Sequence, residues 1–137
     1  MSIENLTVSG YTSLWPTPLS ISHYPAAVET NELLARVFRA MRVTDSESDP
    51  ASAFYSSKDD LLQRVDLPEF RQLFTFIAES LQKTVKAANT NVWPAQLSLN
   101  LEIAGCWFQI QNQGAFHDIH SHGNCSWSGV YYVQIDP

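Results

Sequence analysis

Apolar residues recur with a helical period in the first part of the chain and with a strand period in the last part. From Thr30 to about Met41, Leu34, Val37, Phe38 and Met41 fall at i, i+3, i+4 and i+7, one helical stripe. A second helix is signposted by Asp66 as N-cap, Pro68 in the first turn and Glu69 at the capping-box position. Phe70, Phe74, Ile77, Leu81 and Val85 follow at spacings of 4, 3, 4 and 4, and an end is expected near Ala88 and Asn89. Beyond Trp93-Pro94 the period drops to two. Leu97, Leu99, Leu101 and Ile103 alternate with Ser98, Asn100 and Glu102, the pattern of a half-buried strand. Ala104-Gly105 breaks the phase, after which Phe108 and Ile110 alternate with Gln109 and Gln111. A turn at Asn112-Gln113-Gly114 leads into a third extended segment, 115–122. The fourth, 127–135, places Trp127, Gly129, Tyr131, Val133 and Ile135 on one face and Ser128, Val130, Tyr132 and Gln134 on the other.

Helices first and four β segments afterwards predict an α+β domain rather than an alternating one. Residues 11–24, with Tyr11, Trp15, Pro16, Pro18, His23 and Tyr24, suit an extended segment or a short edge strand. The polar run from Thr44 to Pro50 reads as a solvated connection, the most mobile part of the chain. The chain of 137 residues is the length of a single domain, and 45% hydrophobic content is too high for a disordered one. A net charge of −6, with 8 basic residues scattered along the chain, argues against nucleic acid or an anionic membrane as partner. No apolar run is long enough for a membrane span and the N-terminus lacks a basic, apolar signal, so a cytoplasmic protein is expected. Cys106 and Cys125 are read as reduced thiols, with Cys125 packed in the interior.

One constellation carries chemistry. His117, His120 and His122 lie within six residues, in Phe116-His-Asp-Ile-His-Ser-His122. On a strand, His120 and His122 share a face with Asp118 while His117 points away. Two imidazoles two apart on one strand can reach a single first-row metal ion. His23, far off in sequence, is taken as structural.

These residues resemble a family. Trp107-Phe-Gln-Ile, Gly114-Ala-Phe-His-Asp-Ile-His120-Ser-His122 and Ser128-Gly-Val-Tyr-Tyr-Val133 look like the 2-oxoglutarate- and iron(II)-dependent oxygenases, and more narrowly the subgroup of marine bacteria and their phages. Trp15-Pro-Thr-Pro-Leu19 resembles that family's opening strand, and Tyr55-Ser-Ser-Lys-Asp-Asp-Leu61 its pre-helix segment. The resemblance implies two N-terminal helices packed on a partial double-stranded β-helix, a jelly-roll-like sheet. It also implies Fe(II) and 2-oxoglutarate as cofactor and cosubstrate, and O2 as a further reactant. The substrate is not read from the sequence, with a protein side chain the commonest kind for related enzymes. His120 would be the first iron ligand. His122 would stand in the slot where the wider superfamily carries Asp or Glu, leaving the site one negative charge short. Tyr132 matches a position that hydrogen-bonds the distal carboxylate of 2-oxoglutarate.

The family's later strands carry a distal His and a basic residue for 2-oxoglutarate, and neither follows Tyr132 here. The expectation is therefore a single domain over 1–137 that is the N-terminal portion of an oxygenase, or a truncated relative. Segment 127–135 would then leave an apolar sheet edge suited to a homo-oligomer. Two alternatives remain. A catalytically inactive relative could serve as a binding or assembly module. Gly114, five residues, then His120-x-His122 also opens like the first motif of the cupins, but their following Glu is missing, with Ser126 and Trp127 in that stretch.

Overall fold

A computed structural model describes residues 17–94 and 96–135. Helix α1 spans Ala27–Thr44, strand β1 Phe54–Ser56, helix α2 Leu61–Arg64, helix α3 Pro68–Ala88 and strand β2 Gln109–Gln111. The architecture is α+β: α1 packs on α3, and a two-stranded antiparallel sheet lies against them. No helix among the described residues is long and apolar enough to cross a membrane.

The stripe on α1 does what its spacing predicts. Leu34 and Phe38 are buried, and Val37 and Met41 pack half-buried beside them. Glu29 in the first turn and Arg42 in the last complement the helix dipole. On α3, Phe70 and Val85 are buried and Phe74, Ile77 and Leu81 half-buried, as the stripe implies. Leu73 is buried too, one turn above Phe70 and outside that stripe.

The start of α3 differs from the expectation. Its N-cap is Leu67, with no side-chain cap, and Pro68 is the first helical residue. A residue before proline is pushed out of the helical region, and Leu67 duly has φ −119° and ψ 137°. Asp66 therefore stands one residue too far out to reach the first amides, and it pairs with Arg71 at the surface instead. At the other end the Asn89 side-chain Nδ2 donates to the Val85 carbonyl at 2.8 Å, closing the helix where the pattern places its end.

The β half departs further. Of the four expected segments, only Gln109–Gln111 forms a ladder among the described residues, and its partner is β1 in the helical half. Segments 97–103, 115–122 and 127–135 make none. In 97–103 only Leu99 and Leu101 are half-buried, while Leu97 and Ile103 are exposed. A two-residue period tells which face is apolar but not which strand will take up the backbone groups. Residues 17–24 likewise form no strand, and the part of that segment before Thr17 lies outside the described residues.

The connection after α1 is pinned rather than loose. Arg42 Nη2 donates to the Ser52 carbonyl at 2.7 Å and the Asp49 carbonyl at 3.3 Å. The Tyr55 hydroxyl donates to Asp45 Oδ2 at 2.6 Å. Burial and the neighbouring Asp45 carboxylate push the Tyr55 phenol from 10.0 up to about 12. The same bond holds the Asp45 carboxyl below its ordinary 3.8.

The sheet is joined to the helices by Phe108. Its ring stacks on Phe38 with centroids 4.3 Å apart and 5° between planes, and tilts against Tyr55 at 5.6 Å. Its amide donates to Ser57 Oγ at 3.1 Å, and its carbonyl accepts from the Ser57 amide at 3.0 Å.

Phe108→Ala should cost about 3–5 kcal/mol of unfolding free energy, the usual range for a buried phenylalanine, as read by urea denaturation. A loss below about 1 kcal/mol would show that the ring is not a core contact. The Tyr55–Asp45 bond also sets a pH window. Tyr55 has a raised pKa, so its contribution is full below pH 10.0 and lost as pH rises through about 12. Asp45 has a lowered one, so its contribution is full above 3.8 and lost as pH falls through its folded value. Tyr55→Phe should abolish the alkaline part of this dependence, measured as melting temperature against pH; an unchanged profile would contradict the bond.

Candidate metal centre

The histidine segment is delivered by the β1–β2 ladder. Phe54 pairs with Gln111, Tyr55 with Ile110 and Ser56 with Gln109. The Asn112 amide then donates to the Ala53 carbonyl at 2.8 Å, and a turn closes with the Ala115 amide on the Asn112 carbonyl at 3.0 Å. Gly114 in this turn has φ +82°, a left-handed conformation that glycine takes without strain. The turn predicted from Asn112-Gln113-Gly114 is thus present, and it redirects the chain so that His117 meets Phe54 of β1.

The rings of Phe54, His117, His120, His122 and Trp107 form a continuous row. Phe54 and His117 stack at 5.4 Å with 13° between planes. His117 and His120 lie 4.2 Å apart at 59°, His120 and His122 4.7 Å apart at 75°. Trp107 stacks on His122 at 5.8 Å and 26°. The two outer rings belong to β1 and to the residues leading into β2.

At the centre of the row, His120 Nε2 and His122 Nε2 are 3.0 Å apart. Two nitrogens each about 2.1 Å from one ion, at right angles to each other, would also stand about 3 Å apart. His120 Nδ1 lies 2.9 Å from the Asp118 carbonyl oxygen. A carbonyl only accepts, so Nδ1 carries the proton, and in the neutral ring Nε2 presents its lone pair. The neighbouring contact is then a hydrogen bond donated by His122 Nε2 to His120 Nε2. A backbone carbonyl on the far ring nitrogen is the usual support of a metal-ligating histidine. The spacing of the two nitrogens therefore matches two cis positions of a first-row ion, which His122 could take only after moving its proton from Nε2 to Nδ1. Among the described residues no three His, Cys, Asp or Glu side chains stand ready to hold a metal.

Other expectations need correction. His117 does not point away from the pair but abuts His120, because 115–122 forms no ladder and the strict alternation of a strand does not apply. Cys125 is exposed rather than packed, its Sγ 3.8 Å from the His122 carbonyl oxygen. Cys106 is half-buried, and burial pushes its thiol up to about 11, so it stays protonated. Neither is in a disulfide. His23 is exposed, in the stretch before α1.

Segment 127–135 follows its predicted faces in part. Trp127, Tyr131 and Val133 are half-buried, whereas Ile135 is 74% exposed. Tyr131 anchors the segment to α1: its hydroxyl donates to Asn31 Oδ1 at 2.6 Å, and its ring meets Tyr24 edge-on. Tyr132, its neighbour, is 67% exposed. Phe54, Trp107 and Tyr131 also shape the site. The sequence names Trp107 and Tyr131 only as parts of strand-like motifs, and Phe54, in a strand of three residues, gives no signal.

Comparison with known proteins gives one match. A family model described as "Putative 2OG-Fe(II) oxygenase" matches residues 105–137, a stretch holding all three clustered histidines and Tyr132. This supports the oxygenase resemblance over that part of the chain. No curated protein and no solved structure matches.

In the metal-free chain at pH 8, two-dimensional 15N NMR of the imidazoles should find His120 protonated on Nδ1 and His122 on Nε2. An Nε2-protonated His120 would contradict the tautomer assigned here.

Proposed function

We propose that this chain carries part of the metal-binding face of a 2-oxoglutarate- and Fe(II)-dependent oxygenase domain, with His120 and His122 as two iron ligands. The observation that carries this reading is the pair of Nε2 atoms 3.0 Å apart, one with its tautomer set by the Asp118 carbonyl. The family match over the same residues supports it. Bound there, iron would supply a redox-active centre with open positions for O2 and cosubstrate. To offer its own lone pair, His122 moves its proton from Nε2 to Nδ1. With two neutral imidazoles and no carboxylate, the site carries more positive charge than a His–carboxylate pair would give it. Tyr132 is assigned the distal carboxylate of 2-oxoglutarate, which its exposed phenol can meet as a hydrogen-bond donor.

The fold that this reading requires is a double-stranded β-helix, of which 105–135 would be the first metal-bearing portion. Among the described residues no third His, Cys, Asp or Glu stands with the pair to complete a metal site. A second reading, a binding or assembly module without turnover, is favoured by the exposed apolar side chains Phe116, Ile119, Val130 and Ile135. These would suit contact with another copy of the chain.

Anaerobic Fe(II) calorimetry with and without 2-oxoglutarate separates the two. The oxygenase reading predicts stoichiometric binding, tightened by 2-oxoglutarate and weakened at least about 100-fold in His120→Ala, more than loss of a supporting group would cost. Binding indifferent to His120, or none, would leave the module reading.

A further inference from the structure

We infer that Phe54, His117 and Trp107 are positioning residues, a bracket of rings that holds His120 and His122 side by side, Nε2 to Nε2 at 3.0 Å, before any metal arrives. The inference rests on the oxygenase reading above for what the pair does, and adds what sets its shape. His120 and His122 are on a stretch with no ladder partner among the described residues, and His120 is exposed. Without support, exposed side chains on such a stretch would sample many rotamers, and closing them on an ion would cost ordering entropy.

The support is visible in the ring row. Phe54 belongs to the β1–β2 ladder and is half-buried. Its ring lies nearly parallel to His117 at 5.4 Å, and His117 leans on His120 at 4.2 Å. From the other end Trp107, next to the buried Phe108, stacks on His122 at 5.8 Å. The pair is thus clasped from both ends by rings attached to one small sheet. His117 serves here through its ring face, as a spacer between Phe54 and His120, and not through a nitrogen on the metal.

Substitution at His117, which is exposed, separates the roles without threatening the core. Co(II) titration of the whole chain, followed by its visible absorption, is the readout, with melting temperature as the control for folding. His117→Phe keeps an aromatic spacer but has no ligating nitrogen, so it should bind Co(II) within about twofold of the parent. His117→Ala removes the ring contacts with Phe54 and His120, Trp107→Ala the one with His122, and each should weaken binding about three- to tenfold. The Co(II) band positions should stay unchanged in all three, with melting temperatures close to the parent's.

If His117→Phe loses as much affinity as His117→Ala, or shifts the bands, His117 is a ligand and the inference is overturned. Full affinity in His117→Ala and Trp107→Ala overturns it as well. His120→Ala is the control for the underlying reading. Its loss of binding keeps that reading standing even where the bracket fails, whereas Co(II) binding indifferent to His120, or absent from the parent chain, brings down both.

Discussion

The burial of one ring, Phe108, is the constraint on which the rest of the structure depends. It stacks face to face on Phe38 of α1 and tilts on Tyr55 of β1. Its backbone exchanges two hydrogen bonds with Ser57, one of them through the serine hydroxyl. The contacts with Tyr55 and Ser57 join stretches about fifty residues apart and set the register in which Phe54–Ser56 meets Gln109–Gln111. Trp107 lies on one side of Phe108 and the turn toward His117 beyond the other. Fixing Phe108 therefore fixes where both flanks of the histidine row begin.

The site is consequently a surface feature built on a buried one. His120 and His122 take no part in the core. What distinguishes them is geometry: a nitrogen–nitrogen distance of 3.0 Å, a backbone carbonyl that selects the tautomer, and aromatic rings at either end. A short sheet with few ladder bonds is a modest platform, and the Tyr131–Asn31 bond ties the following segment back to α1 as a second anchor.

The helices were legible in the sequence because burial on one side of a helix leaves a period of 3.6. Leu34, Val37, Phe38 and Met41 declared α1, and Phe70 through Val85 declared α3. The cap of α3 is not legible from the capping pattern, because Pro68 forces Leu67 to be extended and moves the start one residue past Asp66. Strand β1 was not visible as a strand, since three residues are too few to show a period and their partner lies far along the chain. The opposite error affects 97–103 and 127–135, where alternation marked an apolar face although the described residues form no ladder there. At the site, the spacing of His120 and His122 was enough to pair them. The position of His117 was not legible, because alternation holds only within a regular strand.

The central claim is that His120 and His122 offer two nitrogens to one ion. Iron K-edge X-ray absorption of the Fe(II)-loaded chain, compared with the His120→Ala/His122→Ala double variant, tests it most directly. The account predicts imidazole scattering from two rings at about 2.1 Å in the parent chain and none in the double variant. Iron surrounded only by oxygen in the parent, or an imidazole signal that survives in the double variant, would contradict it.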